Sequence, residues 1–236
     1  MAATIDPSAF DVLTFDCYGT LIDWETGLLT ALRAELAGAV AGVSDEELLE
    51  AFAAVEHAAE IPYQPYRDVL AQALREVGAR YGAAPSAEQQ ARFGGSVPDW
   101  PPFPDSPQAL ARLQQRYRLA PITNCDDDLF AGSAARLGVT FDEVVTAQQA
   151  GAYKPDERPF LLAFDRLGVP RQRILHVAQS LFHDHVTAKR LGLTSVWINR
   201  RAGRAGDGAT PQAHAVPDLE LPDLRSLADL LTGSVV

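Results

Sequence analysis

Short apolar runs and longer amphipathic stretches alternate along most of this chain. Val12–Phe15, residues 119–123 and Ile174–Ala178 are brief continuous apolar runs, and Thr194–Ile198 is a fourth candidate. Runs of this length without polar alternation fit strands of a parallel sheet buried on both faces. Leu219–Leu221 reads as a short final strand before a last helix through Leu230 and Leu231. Between the runs the apolar period lengthens. Ser106-Pro107 makes a helix start, with serine as the cap and proline in the first turn, leading into Ala109, Leu110 and Leu113. Further helices are predicted over 128–137, 159–167 and 184–191. These three share one ending: Arg136-Leu137-Gly138-Val139, Arg166-Leu167-Gly168-Val169 and Arg190-Leu191-Gly192-Leu193. A glycine past the last turn closes a helix in the left-handed conformation, and a basic residue suits the C-terminal dipole. Repeated helix-then-strand units predict an α/β fold, a Rossmann-like doubly wound parallel sheet.

Residues 23–99 break that rhythm. Ser44-Asp45-Glu46-Glu47 is a capping box ahead of Leu48, Leu49, Phe52 and Val55 at helical spacing. Tyr66, Val69, Leu70, Ala73, Leu74 and Val77 form a second helical stripe, and Ser86-Ala87-Glu88-Gln89 caps a third helix. The pattern predicts an inserted all-helical cap domain over 23–99 and a discontinuous core of 1–22 and 100–236. The proline-rich residues 98–107 form a hinge between them. Residues 200–215, rich in Gly and Ala, are predicted to be a mobile loop.

The 236 residues suffice for such a domain with an insert, and an apolar share of 47% is ordinary. A net charge of -11 argues against nonspecific nucleic-acid binding but leaves room for a local pocket for a small anionic substrate. Cys17 and Cys125 give no disulfide framework, the opening MAATIDPSAF lacks a basic-then-apolar leader, and no apolar run nears the ~20 residues of a membrane span. The expectation is a cytoplasmic enzyme without membrane partners.

Candidate chemistry concentrates at strand ends. Asp16 closes the first apolar run and is followed by the turn Cys17-Tyr18-Gly19-Thr20. A carboxylate there stands where open α/β sheets carry their sites, and it can attack carbon or phosphorus to give a covalent ester. Three further pieces follow in order: Ile122-Thr123-Asn124, Tyr153-Lys154-Pro155-Asp156, and residues 176–184 with Trp197-Ile198-Asn199-Arg200. Together the four resemble the haloacid dehalogenase superfamily, specifically its 2-haloacid dehalogenase branch, over nearly the whole chain. The resemblance implies that Asp16 is the nucleophile and Thr20 its supporting hydroxyl. It implies that Lys154 lies beside the nucleophile and the substrate's charge, and that Asp184 sets up the water that hydrolyses the ester. Thr123 and Asn124 match the second motif. Cys17, Tyr18, Trp24, Phe160, Gln179, Ser180 and His183 complete the implied substrate pocket. The reaction implied is hydrolytic removal of halide from a short 2-haloacid without a metal or other cofactor. Relatives often pair, so a homodimer is possible here.

Two other readings stay open. Phosphatases of the superfamily carry an acid two residues after the nucleophile, where this chain has Tyr18, and an aspartate where it has Gln179. With Asp16 and Asp184 alone, a Mg²⁺ site is short of charge. A binding protein that kept the fold without turnover is the third reading, sustained by departures from the dehalogenase pattern. The first cap helix lacks the halide-holding arginine, reading Phe52-Ala53-Ala54-Val55-Glu56-His57; Arg67 comes later. Phe160 replaces a tyrosine, and Gln179 and Leu181 replace a serine and an asparagine. Trp24, Tyr63, Gln179 and His183 are candidates for a different halide or leaving-group pocket, with a small, strongly hydrated halide such as fluoride among the groups it could take. His183 and His185 are two apart and share no helix face, so no metal site is expected. His176 reads as a satisfied core histidine, and the Asp126-Asp127-Asp128 run as acids at a helix start.

Overall fold

The structure, a computed structural model, describes residues 5–202 and 213–233. β1 (Val12–Phe15) leads through a tight turn into four helices, α1 (Trp24–Leu36), α2 (Asp45–Ala59), α3 (Tyr66–Arg80) and α4 (Ala87–Gly94). The chain then runs α5 (Ser106–Leu113), β2 (Arg118–Thr123), α6 (Asp127–Leu137), β3 (Val145–Thr146), α7 (Ala147–Ala150), α8 (Arg158–Leu167) and β4 (Ile174–Ala178). After a π-helical turn at Leu181–His185 come α9 (Val186–Arg190), β5 (Thr194–Ile198), β6 (Leu219–Leu221) and α10 (Leu224–Thr232). The six strands form one parallel sheet in the order β3-β2-β1-β4-β5-β6.

Alternation along the strands builds two apolar layers. Leu13, Phe15, Leu119, Leu175 and Val177 face the layer closed by α5, α6 and α10. Val12, Ala120, Ile122 and Ile174 face α8 and α9. This is the doubly wound α/β core with a helical cap. Gly138 and Gly168 close α6 and α8 in the left-handed conformation. Gly192 also has positive φ but lies one residue beyond the cap position of its helix, which is Leu191.

Within 24–94, all described, no strand occurs. Ser86 and Gln89 make the reciprocal capping box. Ser44 accepts the Glu47 N–H (3.2 Å), but no return bond from the Glu47 side chain to the Ser44 backbone forms. Ser106 does not cap α5: it is the first helical residue, Asp105 is the cap position, and the serine hydroxyl accepts from Arg200 (3.4 Å). The chain leaves and rejoins the core side by side, with Asp23 N–H donating to Pro101 O (2.8 Å) and Phe103 N–H to Leu21 O (3.0 Å). Of the stretch 200–215, residues 203–212 lie outside the described residues. Arg200 is pinned by Asp105 (2.8 Å) and the Thr20 carbonyl (2.9 Å). Among the described residues no single helix is long and apolar enough to cross a membrane.

Candidate active site

β1, β2 and β4 end together at the sheet's centre, beneath α2 and α3. Strand order reverses at β1, the place where such sheets leave a crevice. Asp16 extends from β1, Asn124 from β2 and Gln179 from β4, and all three line a small cleft of about 60 Å³. Tyr18, Trp24, Lys154, Ser180 and His183 line it too.

Lys154 organises the floor. Its ammonium has three protons and donates all of them: to Asp16 Oδ1 (2.9 Å), Asp184 Oδ1 (2.7 Å) and Ile122 O (2.7 Å). Burial works against the charge, but the two aspartates outweigh it and hold the Lys154 pKa above its usual value. Asn124 fixes the lysine's backbone from both sides, its Oδ1 accepting Lys154 N–H (2.7 Å) and its Nδ2 donating to Lys154 O (3.1 Å).

The second oxygen of Asp16 accepts the Thr20 hydroxyl (2.6 Å), and Thr20 in turn accepts the Gln179 backbone N–H (2.8 Å). Thus β1 and β4 are tied together through a chain of hydrogen bonds that orients one carboxylate. Burial raises the pKa of Asp16 and the nearby Asp184 charge adds to it, opposed by Lys154 and Thr20. Asp184 goes the other way: burial raises its pKa, but Lys154 and His176 more than offset this and leave it well below the ordinary range. His176 sits in β4 between Thr14 Oγ1 (Nδ1, 2.9 Å) and Asp184 Oδ1 (Nε2, 3.1 Å). With Thr14 donating to Nδ1, Nε2–H donates to Asp184, so this histidine is satisfied and also steadies an acid of the site. Asp184 Oδ2 has no protein partner.

The turn after Asp16 requires its glycine. Gly19 has φ +97°, and a Cβ there would stand 3.1 Å from Gln179 Oε1 and 3.2 Å from Trp24 Nε1. Ser180 accepts the His183 N–H (2.9 Å) and meets its Nδ1 (3.1 Å). Burial lowers the His183 pKa to about 4, so the ring is neutral at pH 7. His185 points away, to Ser195 and the Ala178 carbonyl.

Other expected residues lie off the cleft. The Cys17 side chain is buried in the core, its thiol pushed well up by burial and by Asp16. Phe160 lies under the sheet on α8, edge-on to His176 at 5.1 Å, because the chain turns into that helix after Lys154. Thr123 is buried with its hydroxyl unpartnered and does not line the cleft. Tyr63 packs on Tyr153 (5.3 Å). Arg67 faces outward, paired with Asp128 (2.5 Å) and Asp126 (3.5 Å), so it supplies no charge to the cleft. Asp126 accepts the Tyr66 and Arg67 N–H groups (2.8 and 3.0 Å), capping cap helix α3 from the core. Asp127 accepts from Thr146 and Gln149. The acidic run thus joins cap to core.

Sequence reasoning missed the roof. Glu56, Glu60 and Tyr66 line the cleft opposite its floor. The available signal was that Glu56 and Glu60 continue, in steps of four, the apolar stripe of Phe52.

The profile of the haloacid dehalogenase-like hydrolase family matches residues 10–192. The (S)-2-haloacid dehalogenase H-109 of Pseudomonas putida is 27% identical over 172 residues, covering 72% of this chain and 74% of its own. The 5-amino-6-(5-phospho-D-ribitylamino)uracil phosphatase of Escherichia coli is 29% identical over 236 residues, covering 93% and 95%. A solved L-2-haloacid dehalogenase superposes with TM-score 0.78 at 27% identity, over 95% of this chain and 100% of its own. The chain belongs to the haloacid dehalogenase-like hydrolase family.

Proposed function

We propose that the protein hydrolyses the carbon–halide bond of a short 2-haloalkanoic acid through an ester on Asp16, without a metal. The observation that carries this reading is the Asp16 carboxylate held between Lys154 and Thr20 at the bottom of a small cleft, with Tyr18 where a phosphatase needs an acid. The Tyr18 hydroxyl is turned to Cys125 Sγ (3.3 Å) and Ser133 Oγ (3.0 Å), and burial lifts its pKa well above the ordinary phenol value. It is a poor proton donor to a leaving oxygen.

An Asp16 oxygen attacks C2, the carbon–halogen electron pair leaves with the halide, and C2 inverts. Water then attacks the Asp16 carbonyl carbon, the ester C–O bond breaks, and a 2-hydroxy acid leaves with one oxygen of Asp16. Asp184 Oδ2, with no protein partner, is the acceptor that orients this water, one of whose protons ends on the departing hydroxyl oxygen. Lys154 has no proton to spare for the substrate carboxylate. The backbone N–H groups of Tyr18 and Asn124, two residues that line the cleft, serve the substrate carboxylate instead.

The phosphatase relative keeps one alternative in view. Its cation does not fit here: Asp16 and Asp184 share Lys154, Gln179 offers an amide, and among the described residues no three acidic, His or Cys groups are placed to hold a metal. Halide release from fluoroacetate, chloroacetate and both 2-chloropropionates, measured in chelator with Asp16→Asn as control, tests the reading. Release by the native protein alone is expected. Silence on all four acids, with Mg²⁺-dependent release of phosphate from small esters, would replace it.

A further inference from the structure

A halide leaving C2 departs opposite the attacking Asp16 oxygen. Asp16 rises from the sheet, so the departing atom moves toward the helices above. There the cleft is lined by Glu56 and Glu60, one turn apart on and just past α2, and by Tyr66 of α3. Among the described residues Lys154 is the one cation that lines the cleft, and its donors are spent. Negative charge developing on the halide must therefore meet neutral donors.

We propose that Glu60, as a neutral carboxylic acid, donates a hydrogen bond to the departing halide, with Glu56 and Tyr66 completing this leaving-group end of the cleft. The inference rests on the dehalogenase reading and deepens it. The Glu60 carboxyl is 8% exposed, yet its side chain makes no hydrogen bond to the protein; the His57 Nδ1 lies 3.7 Å from it. Glu56 is different, since its Oε1 already accepts the Tyr66 hydroxyl (2.6 Å). Two carboxyls one turn apart that line the same cleft do not both ionise beside a bound anion. Burial, with the Glu56 charge second, raises Glu60 to about 9, and burial raises Glu56 to about 7. The ionisable groups facing the pair are His57 on α2, Tyr66 on α3, and Asp16, Tyr153, Lys154 and His183 from the core. The proton stays on Glu60 throughout: the C–halogen electrons leave with the halide, and the new bond is Asp16 O–C2.

Two measurements test this. In the first, kcat/KM for (S)-2-chloropropionate is followed against pH in the native protein, Glu60→Gln and Glu60→Ala. The native profile is expected to fall about tenfold per pH unit above roughly pH 9, where Glu60 loses its proton. Glu60→Gln, isosteric and still a donor, should lose that limb, and should be less impaired at pH 7 than Glu60→Ala. In the second, 2-chloropropionate is titrated calorimetrically at pH 9 into Asp16→Asn, in buffers of different ionisation enthalpy. Binding should take up a proton in Asp16→Asn and not in Asp16→Asn/Glu60→Gln. The same alkaline limb in the native protein and Glu60→Gln would overturn the assignment. So would proton release, uptake unchanged by Glu60→Gln, or no binding at all. Should the native protein release no halide while the calorimetric uptake depends on Glu60, the dehalogenase reading falls and the anion-binding acid remains.

Discussion

Lys154→Met isolates the electrostatics of the site floor. The native ammonium is 1% exposed and bonds two carboxylates that are themselves almost fully enclosed. Methionine keeps the volume but leaves Asp16 and Asp184 facing each other without a cation. Breaking a buried pair in this way costs about 3–5 kcal/mol. That is a large part of the roughly 5–15 kcal/mol that holds a domain folded. The pH dependence follows from the direction of each shift. In the native protein Asp184 lies below its unfolded pKa, so it contributes stability above the unfolded value that is lost as pH falls through the folded one. Lys154 lies above its unfolded pKa, so its contribution is complete below that value and is lost at more alkaline pH. Without the lysine the carboxylates lie above their unfolded pKa, and their mutual repulsion is relieved as pH falls and one of them takes a proton. Urea unfolding at pH 7.5 and pH 5 should therefore show Lys154→Met losing about 3–5 kcal/mol at the higher pH and much less at the lower. Adding Asp184→Asn should recover a good part of the loss at pH 7.5. A loss under about 1 kcal/mol at pH 7.5, or one that does not shrink at pH 5, would refute the reasoning.

Three further outcomes follow from the geometry. Gly19→Ala puts a Cβ at positive φ against Gln179 and Trp24; it should cost about 1–3 kcal/mol in stability and at least tenfold in kcat/KM, read by thermal melts and halide release. Asp126→Ala frees the first two N–H groups of α3; a loss of about 1–2 kcal/mol and a raised KM are expected, whereas an unchanged KM would mean that cap placement does not depend on this carboxylate. Arg67→Ala should leave halide release within about threefold of native, because the guanidinium faces Asp128 outside the cleft; a collapse of activity would restore Arg67 as the halide group.

The sheet's centre was legible because strands buried on both faces have no polar alternation, and β1, β4 and β5 lie where the apolar runs predict. β3, of two residues, and α7, of four, were not: neither is long enough for a period to show. The four motifs gave the floor of the site, since each follows a strand or a loop of fixed length. Which way side chains point was harder to see. Cys17 follows Asp16 directly yet turns into the core, and Phe160 belongs to α8 beneath the sheet. The roof was least visible. Glu56 and Glu60 look like surface acids in sequence, and only the fold of α2 over the strand ends encloses them.

The paired linkers have a consequence for how such a chain can be rebuilt. Because Asp23 and Phe103 bond to the opposite linker, the strands that carry the chain up and back are neighbours, and the sheet experiences some eighty intervening residues as a single hairpin-like excursion. Loop-closure entropy grows only slowly with length, so the core tolerates exchanging one roof for another. Asp16 and Lys154 stay with the core while Glu56 and Glu60 travel with the exchanged segment. Chemistry and leaving-group preference are thus inherited from separable pieces of the chain, and a graft between residues 22 and 102 would transfer the second without disturbing the first.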